Sequence, residues 1–415
     1  MIFKSRNANH TTDVVDLKLL AGEALMTGKS KSKNGVSSPI SIFCPQCGTE
    51  INPFGSVPDK PLRRGPTDER FQEIARCLKD LIYEGSWKPG TRIPTRRQLC
   101  QKYGASPITI QNIIDQFEED GFLRTERPSG TYVAVKPPHT FNVALVFPEK
   151  KESSLLWKAL STVAEKDRDD GLKILQFTSI KFNGWTGNAE QVALVEYVKR
   201  KKLMGIFFTS PPFLVERTPI VTEPGIPRCA FTLPGASYPE ISKFSVDGTS
   251  FQTRSLEYLS KRGRKKVSVI GHPWILNPSH NWLKKIDEYG LKSGPHWLQG
   301  MNISEPAPSE NIARLIFSDI CSEHPDGLII TDDNLVESVT RGIAQAGVRI
   351  PSDLEIVAHT NFPCPPKASV PVVRLGYDAK EILETGLRLL REKRSAGTVS
   401  PAAALIKAVF EDELK

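Results

Sequence analysis

Between Phe71 and Val133 the chain holds two short amphipathic helices, a third helix opened by Ser-Pro, and a two-stranded hairpin, in that order. In the first helix Phe71, Ile74, Ala75, Leu78, Leu81 and Ile82 recur at i, i+3, i+4, i+7 spacing, so one stripe faces a core. Gly85 ends it, and Lys88-Pro89-Gly90 turns the chain. Thr95 is placed to cap a helix from Arg96 to Tyr103 that stops at Gly104. Ser106 offers the next capping hydroxyl, and Pro107 takes the first helical position, where its missing N–H costs nothing. In this third helix Ile110, Ile113, Ile114 and Phe117 point inward and Thr109, Gln111, Asn112 and Gln116 point outward. The strands Phe122–Arg127 and Thr131–Val133 then form a hairpin around Pro128-Ser129-Gly130, with Arg127 at its tip. This succession is a winged helix-turn-helix, one of few ways a chain presents a helix to a major groove.

Charge agrees in distribution more than in amount. The whole chain carries +8 with pI near 9.0, which favours an anionic partner. Over 66–137 the balance is eleven basic against ten acidic residues. The acids gather at the ends (Asp68, Glu69, Glu73; Glu118, Glu119, Asp120), whereas Lys88, Arg92, Arg96, Arg97 and Lys102 fall in a stretch from Ser86 to Ile114 that has no acid. Short polar side chains on the outward face of the third helix reach base edges, and Gln or Asn pairs with adenine through two hydrogen bonds.

The length, 415 residues, exceeds what one core serves and predicts two or three domains. No apolar run approaches the ~20 residues of a membrane helix, and the start Met1-Ile2-Phe3-Lys4 lacks the apolar stretch of a secretory signal. The cytoplasm is the expected compartment. The seven cysteines show no disulfide-framework spacing. Cys44-Pro45-Gln46-Cys47 is half of a zinc-ribbon knuckle; a structural zinc site takes about four ligands and no second CxxC exists, which leaves no site, a remnant, or one shared across a dimer.

Residues 1–65, with a Lys/Ser run and little apolar periodicity, read as a poorly ordered extension. Residues 66–137 form the winged module, and Val135-Lys136-Pro137-Pro138-His139 reads as a stiff, extended linker. From 138 to 415 strands and helices alternate. Strands are expected at Phe141–Phe147, Leu172–Thr178, Gly205–Thr209, Val267–Ile270, Gly327–Thr331 and Leu354–Val357. Helices are expected before Ala164 and at Ala189–Lys201, Phe251–Ser260, Asn281–Tyr289, Glu310–Cys321 and Leu335–Ala346. The rhythm implies α/β architecture with parallel sheets covered on both faces.

Lys88-Pro89-Gly90-Thr91-Arg92-Ile93-Pro94-Thr95-Arg96-Arg97-Gln98-Leu99, then Tyr103–Ser106, Asp120–Leu123 and Gly130–Val133, resemble the GntR family of bacterial regulators through the whole module. The resemblance implies DNA contacts from Arg97, Ile108, Thr109, Gln111, Arg127, Ser129 and Gly130. Arg96, Ser106 and Asn112 complete the candidate reading surface. Pro107 and Gln111 stand where the family often has arginine, which removes an arginine–guanine contact from each position and leaves the base preference open.

Phe244-Ser245-Val246-Asp247-Gly248-Thr249, Leu259–Gly271, Pro325–Asp333 and Gly347–Val357 resemble the effector domain of the lac-repressor family, itself similar to periplasmic sugar-binding proteins. The resemblance implies two Rossmann-like lobes closing on a small ligand, a sugar or nucleobase. By position Asp247 and Asp333 match residues that contact or frame that ligand; each alternatively caps the helix that follows it. Among the tryptophans 157, 185, 274 and 282, Trp274 follows a strand and is the candidate to stack on a sugar face. No arginine is placed near Asn281 to grip the ligand as the family's does.

Dinucleotide binding lacks its GxGxxG, and the scattered histidines form no HExxH; no cofactor and no catalysis are expected. The expectation is a cytoplasmic, homodimeric DNA-binding transcription regulator, a repressor, that answers to a small carbohydrate and has double-stranded operator DNA as partner. The alternative is a ligand-binding protein that uses its winged helix to dock on another protein.

Overall fold

The computed structural model describes residues 42–43, 50–51, 69–166, 168–180, 188–231, 240–318, 320–396 and 404–414. Two units divide the chain, Met1–Lys60 and Pro61–Lys415. In the first, β1 (Ile42–Phe43) pairs antiparallel with β2 (Glu50–Ile51); Cys44 and Cys47 lie outside the described residues.

The second unit begins with the winged head. Helix α1 (Glu69–Tyr83) buries Phe71, Ile74, Leu78 and Ile82. Helix α2 (Arg96–Tyr103) opens on a full capping box, in which Gln98 donates its N–H to Thr95 Oγ1 at 3.4 Å and accepts the Thr95 N–H at 2.8 Å. It closes at Gly104, whose φ of +59° suits glycine. Helix α3 (Pro107–Glu119) is capped by Ser106 Oγ, which accepts from Thr109 N at 3.1 Å. Its Ile110, Ile113, Ile114 and Phe117 are buried as their spacing requires. The wing is β3 (Leu123–Glu126) against β4 (Gly130–Val133). A third segment joins it, because Ile93 N donates to Thr131 O at 3.0 Å and Val133 N donates to Thr91 O at 2.9 Å.

The remainder is two six-stranded α/β lobes. The elements run β5 (Asn142–Val146), α4 (Leu155–Ala164), β6 (Lys173–Phe177), α5 (Ala189–Lys199), β7 (Gly205–Phe208), α6 (Pro219–Thr222), β8 (Arg228–Phe231) and β9 (Ser242–Val246). They continue α7 (Gly248–Lys261), β10 (Val267–Gly271), α8 (Trp282–Glu288), β11 (Leu298–Gly300), α9 (Ala307–Ile316), β12 (Gly327–Ile330), α10 (Asp333–Gln345) and β13 (Glu355–Phe362). Last come β14 (Val373–Asp378), α11 (Ala379–Ala396), β15 (Ala404–Ile406) and β16 (Val409–Phe410). The first-lobe sheet has the order β15-β9-β8-β7-β5-β6 and is parallel throughout. The second has the order β11-β10-β12-β13-β14-β16 and is parallel except for its last pair.

The chain crosses between lobes three times: after β9, after β14 and between β15 and β16. Helix α11 follows a second-lobe strand yet packs on the first-lobe sheet. That approach needs two glycines, since a Cβ on Gly386 would come within 2.7 Å of the Phe207 ring and one on Gly205 within 2.9 Å of Leu390. The crossings are stitched where they meet. Asp247 N donates to Ile406 O at 2.7 Å, Tyr377 Oη donates to Asp247 O at 3.1 Å, and Arg254 donates to Ala408 O at 2.8 Å.

Three sequence expectations shift. The helix expected at Glu310–Cys321 is α9, begun three residues earlier with Pro308 in its first turn and ended where Ser318 Oγ and Cys321 Sγ donate back to Leu315 O. The strand expected at Leu354–Val357 runs on through His359, Thr360 and Asn361, polar residues held in register by six pairings with β14. The expected extended linker is instead packed: Pro137, Pro138 and His139 are buried, and 138–140 make a 3-10 turn.

That packing belongs to a tight seam between head and first lobe. Asp120, just past α3, has a fully buried carboxylate that accepts from Lys79 at 3.3 Å, Arg200 at 3.0 Å and Lys202 at 3.3 Å. Lys79 also donates to Arg200 O at 3.1 Å, and Lys201 pairs with Asp80. Burial pushes the Asp120 carboxyl up, but the hydrogen bond from Arg200 and the charges of Lys79 and Lys202 outweigh it and hold the group below the usual aspartate range. Alongside, His139 is stacked between Tyr83 and Phe122, 4.9 and 5.6 Å from their ring centres. Arg394 lies 4.7 Å over the Tyr83 ring and donates to His139 O at 2.8 Å.

Removing one member of a buried ionic cluster strands the others. Asp120→Ala should therefore cost about 3 kcal/mol and split urea unfolding of the chain into separate head and lobe transitions; a single transition at the wild-type midpoint would refute the seam's importance. Burial, helped by the charge of Arg394, pushes the His139 imidazole down to about 3. A depressed histidine contributes stability that is present above its unfolded value and is lost as pH falls toward the folded one, here from about 6.5 toward 3. Acidification to pH 5 should cost about 2 kcal/mol from this group. His139→Phe, which keeps the stacking, should flatten that part of the stability–pH curve.

Candidate nucleic-acid interface and effector cleft

The outward side of α3 and the wing enclose a groove of about 640 Å³. Arg92, Thr95 and Arg96 line one wall, Gln111 and Asp115 the floor, and Arg127 and Gly130 the wing side. Arg92, Arg96, Arg97 and Arg127 are exposed, and none has an ion pair or hydrogen bond among the described residues. Other basic groups of the head are engaged: Arg70 binds the carbonyls of Tyr103 and Gly104, Arg124 pairs with Glu126, and Lys79 is buried on Asp120, whereas Arg76 and Lys88 make no ion pair among the described residues. Three of the unpaired guanidinium groups, on Arg92, Arg96 and Arg127, line the groove, whose lining also includes Asp115, Glu118 and Glu126; exposed arginines clustered on one face of such a head suit a polyanion.

Each residue of the sequence reading has a definite place. Ser106 and Thr109 hold each other, their hydroxyls 2.9 Å apart, and so fix the start of α3. Between them Ile108 is 73% exposed, an apolar side chain at the helix start with no core to enter; apolar groups there suit the methyl of thymine. Asn112 is exposed one turn further on. Gln111 donates its amide to Asp115. Arg127 and Ser129 form the wing tip, where Ser129 O accepts from Tyr132 Oη at 3.4 Å.

Arg92 escaped the sequence reading of the surface although it lay in the acid-free basic stretch. Only the pairing of its segment with β4 carries it to the wing. There its guanidinium lies across Gly130, so a Cβ on that glycine would meet Nε at 2.6 Å. Gly130 also has φ of +123°, which suits glycine.

The lobes bring some predicted cleft residues together and leave one apart. Asp247 sits at the first crossing and caps α7, its Oδ1 accepting from Ser250 N at 3.1 Å. For α10 the cap is Asp332, which accepts from Asn334 N at 3.0 Å. Asp333 beside it is buried and accepts from Asn361 Nδ2 at 2.6 Å. Burial pushes its carboxyl up, with His359 nearby opposing. Asn361 is in register with Tyr377, which donates to Asp247 O. His359 packs 5.5 Å from the Tyr377 ring and 5.4 Å from Phe251. Its Nδ1 is buried without a partner among the described residues.

Asp333 with Asn361 and Asp247 with Tyr377 are thus two hydrogen-bonded pairs brought side by side by the register of β13 and β14. His359, Asn361 and Tyr377 were missed because polar residues there break the apolar strand signal. Trp274 stands apart, 51% exposed and edge-on to His272 at 4.9 Å; Trp157 and Trp282 are packed in or against the core, and Trp185 lies outside the described residues. On the first lobe, Val146, Pro148, Ile180, Phe208 and the half-exposed Phe213 line an apolar cavity of about 230 Å³ beyond the ends of β5 and β7. No cluster of three or more His, Cys, Asp or Glu side chains among the described residues is arranged to hold a metal ion.

Comparison with known proteins agrees with both parts. Residues 71–133 match the model of the bacterial regulatory proteins of the gntR family, and 256–407 match a periplasmic binding protein-like domain. The HTH-type transcriptional repressor YtrA of Bacillus subtilis is 31% identical over 64 residues, 15% of this chain and 49% of that protein. The chain spans less than half the length of the first curated relatives, which it matches through the head. The arabinose metabolism transcriptional repressor of Halalkalibacterium halodurans is 21% identical over 371 residues, 79% of this chain and 92% of that protein. The solved complex of the transcriptional regulator CelR with cellobiose superposes with a TM-score of 0.48 at 14% identity, over 77% of this chain and 98% of that one. These matching families are regulatory or ligand-binding rather than enzymatic. The chain therefore carries a head that matches the gntR family of bacterial regulatory proteins, followed by a region that matches a periplasmic binding protein-like domain.

Proposed function

We propose that this protein is a sequence-specific DNA-binding transcription regulator, a repressor, whose hold on its operator is changed by a small carbohydrate bound between the two lobes. The observation that carries the reading is the groove of the head, where the unpaired Arg92, Arg96 and Arg127 stand beside Gln111 of α3 and the wing, with Ile108 exposed at the start of the same helix. Arg97, Ile108, Thr109, Gln111 and Asn112 face the major groove in this reading, and Arg127, Ser129 and Gly130 meet phosphate or the minor groove. The chain acts as a homodimer in the cytoplasm, its two α3 helices about one turn (~34–36 Å) apart on a near-palindromic site. Among the described residues no helix is long and apolar enough to cross a membrane.

The effector site comprises Asp333 with Asn361 on one lobe and the apolar cavity near Phe213 on the other; Trp274, which stands apart from them, is the candidate to stack on a sugar face, and Asp247 acts at the crossing. Ligands in open α/β folds lie outside the carboxyl ends of the strands, and carboxylate with amide suits sugar hydroxyls. Arabinose is the first sugar to try, on the strength of the arabinose repressor that aligns along most of the chain. Effector binding biases the lobes between two arrangements by its differential affinity, and the head follows through the Asp120 seam.

The test is selection of bound duplexes from sheared source DNA by the full chain. A short near-palindrome is the expected product, and retention that ignores sequence, or none at low salt, would favour the protein-docking alternative. On the selected site Arg97→Ala should weaken binding by about 1–3 kcal/mol, read by fluorescence anisotropy; unchanged affinity would remove Arg97 from the reading surface. Asp333→Ala should leave DNA affinity intact and abolish the response to the sugar that wild type answers to, whereas intact induction would exclude it from the site.

A further inference from the structure

The outward end of α3 is apolar. Ser106 Oγ caps the helix by accepting from Thr109 N at 3.1 Å, and the two hydroxyls lie 2.9 Å apart, so they are engaged with each other. Pro107 between them is exposed and has no N–H to offer. Gln111, on the next turn, gives its amide to Asp115. What faces out at this end is Pro107 and Ile108, and Ile108 stands open to water. Ile110, Ile113, Ile114 and Phe117 form the core stripe of the helix, and helical spacing places Ile108 across the helix from them. A β-branched side chain on a helix holds one main rotamer. Ile108 is therefore a preformed apolar surface, and covering it with a partner's apolar group is favourable. The surrounding charge selects the partner. Helix α2 packs beside α3 and opens on Arg96 and Arg97, both exposed and without an ion pair among the described residues. The first turn of α3 carries no acid, although an acidic group there favours a helix. A polyanion with apolar groups set between its charges meets both features. In duplex DNA the phosphates flank the major groove, and the apolar group on its floor is the C5 methyl of thymine.

We infer that Ile108 is a specificity-determining residue that reads the C5 methyl of a thymine in each half-site. The inference rests on the DNA-binding reading above and adds to it which base is read and through which group. Adenine, guanine and cytosine carry no methyl in the major groove, and each leaves Ile108 against a polar edge or water. The discrimination comes from apolar area alone, so it amounts to about fourfold for one methyl, the scale of burying a single carbon group. Such a reader answers to the methyl itself and not to the hydrogen-bonding pattern of the base. Methylating C5 of a cytosine at that position therefore restores part of what cytosine loses.

The experiment selects a site from randomised duplexes with the full chain, then replaces each of its thymines singly by deoxyuridine, which lacks only the methyl. Affinities of wild type, Ile108→Val and Ile108→Ala are read by fluorescence anisotropy. Wild type is expected to lose about fourfold at one thymine of each half-site. Ile108→Ala binds the thymine and deoxyuridine forms of that position alike, and Ile108→Val, which keeps a branched apolar side chain, retains most of the difference. Cytosine placed there gains affinity for wild type when its C5 is methylated and gains none for Ile108→Ala. Both substitutions fall at a solvent-facing helical position and leave the head folded. A selected half-site without thymine, or a site in which no deoxyuridine weakens binding, overturns the inference. A loss that persists undiminished in Ile108→Ala overturns it too, because another group then reads the methyl. No sequence preference in the wild type overturns the DNA-reading assignment itself, a different failure, since there is then no site to scan.

Discussion

The arrangement of this molecule turns on one buried carboxylate. Asp120 closes the third helix of the head and meets Lys79 from the head with Arg200 and Lys202 from the first lobe, its own side chain fully shielded from water. Taking an aspartate out of water is unfavourable, and here several hydrogen-bonded cations offset the cost. Such a cluster tolerates little displacement, because any parting of head and lobe leaves charges dry and unpaired. Tyr83, His139 and Arg394 seal the neighbouring ground by stacking. Head and first lobe are joined by a specific interface as well as by a covalent thread.

The same interface explains the charge pattern of the head. With eleven basic and ten acidic residues over 66–137 it is nearly neutral, yet its two ends differ. Asp80 and Asp120 are spent on the first lobe, whereas Arg92, Arg96 and Arg127 keep their charge unpaired at the groove and Arg97 keeps its own beside Arg96 on α2. A surface field depends on which charges are neutralised locally rather than on the sum. The acids spent on the first lobe and the arginines left unpaired on the head are two consequences of one partition.

In the lobes the polar residues follow a comparable logic. Asn361 bonds Asp333, Tyr377 bonds Asp247 at the crossing between lobes, and Asn361 and Tyr377 are register neighbours on adjacent strands. Polar groups buried near a hinge must find partners, and these find them across strands far apart in sequence.

Local sequence determined the winged head almost completely. Thr95 with Gln98, Ser106 with Pro107, Gly104 and the four inward apolar residues of α3 act within a few positions of one another, so capping and periodicity suffice to read them. The strand–helix rhythm of the lobes was legible for the same reason where strands were apolar, as at Asn142–Val146 and Gly205–Phe208. It faded at His359–Asn361, where partners on β14 and α10 stabilise a polar strand. Only tertiary structure decided the rest: that Arg92 crosses Gly130 to line the groove, that Asp332 rather than Asp333 caps α10, that Pro137–His139 is packed instead of extended, and that Asp120 anchors the head. Each depends on contacts between residues tens to hundreds of positions apart, and long-range electrostatics and burial leave no periodic trace in the sequence.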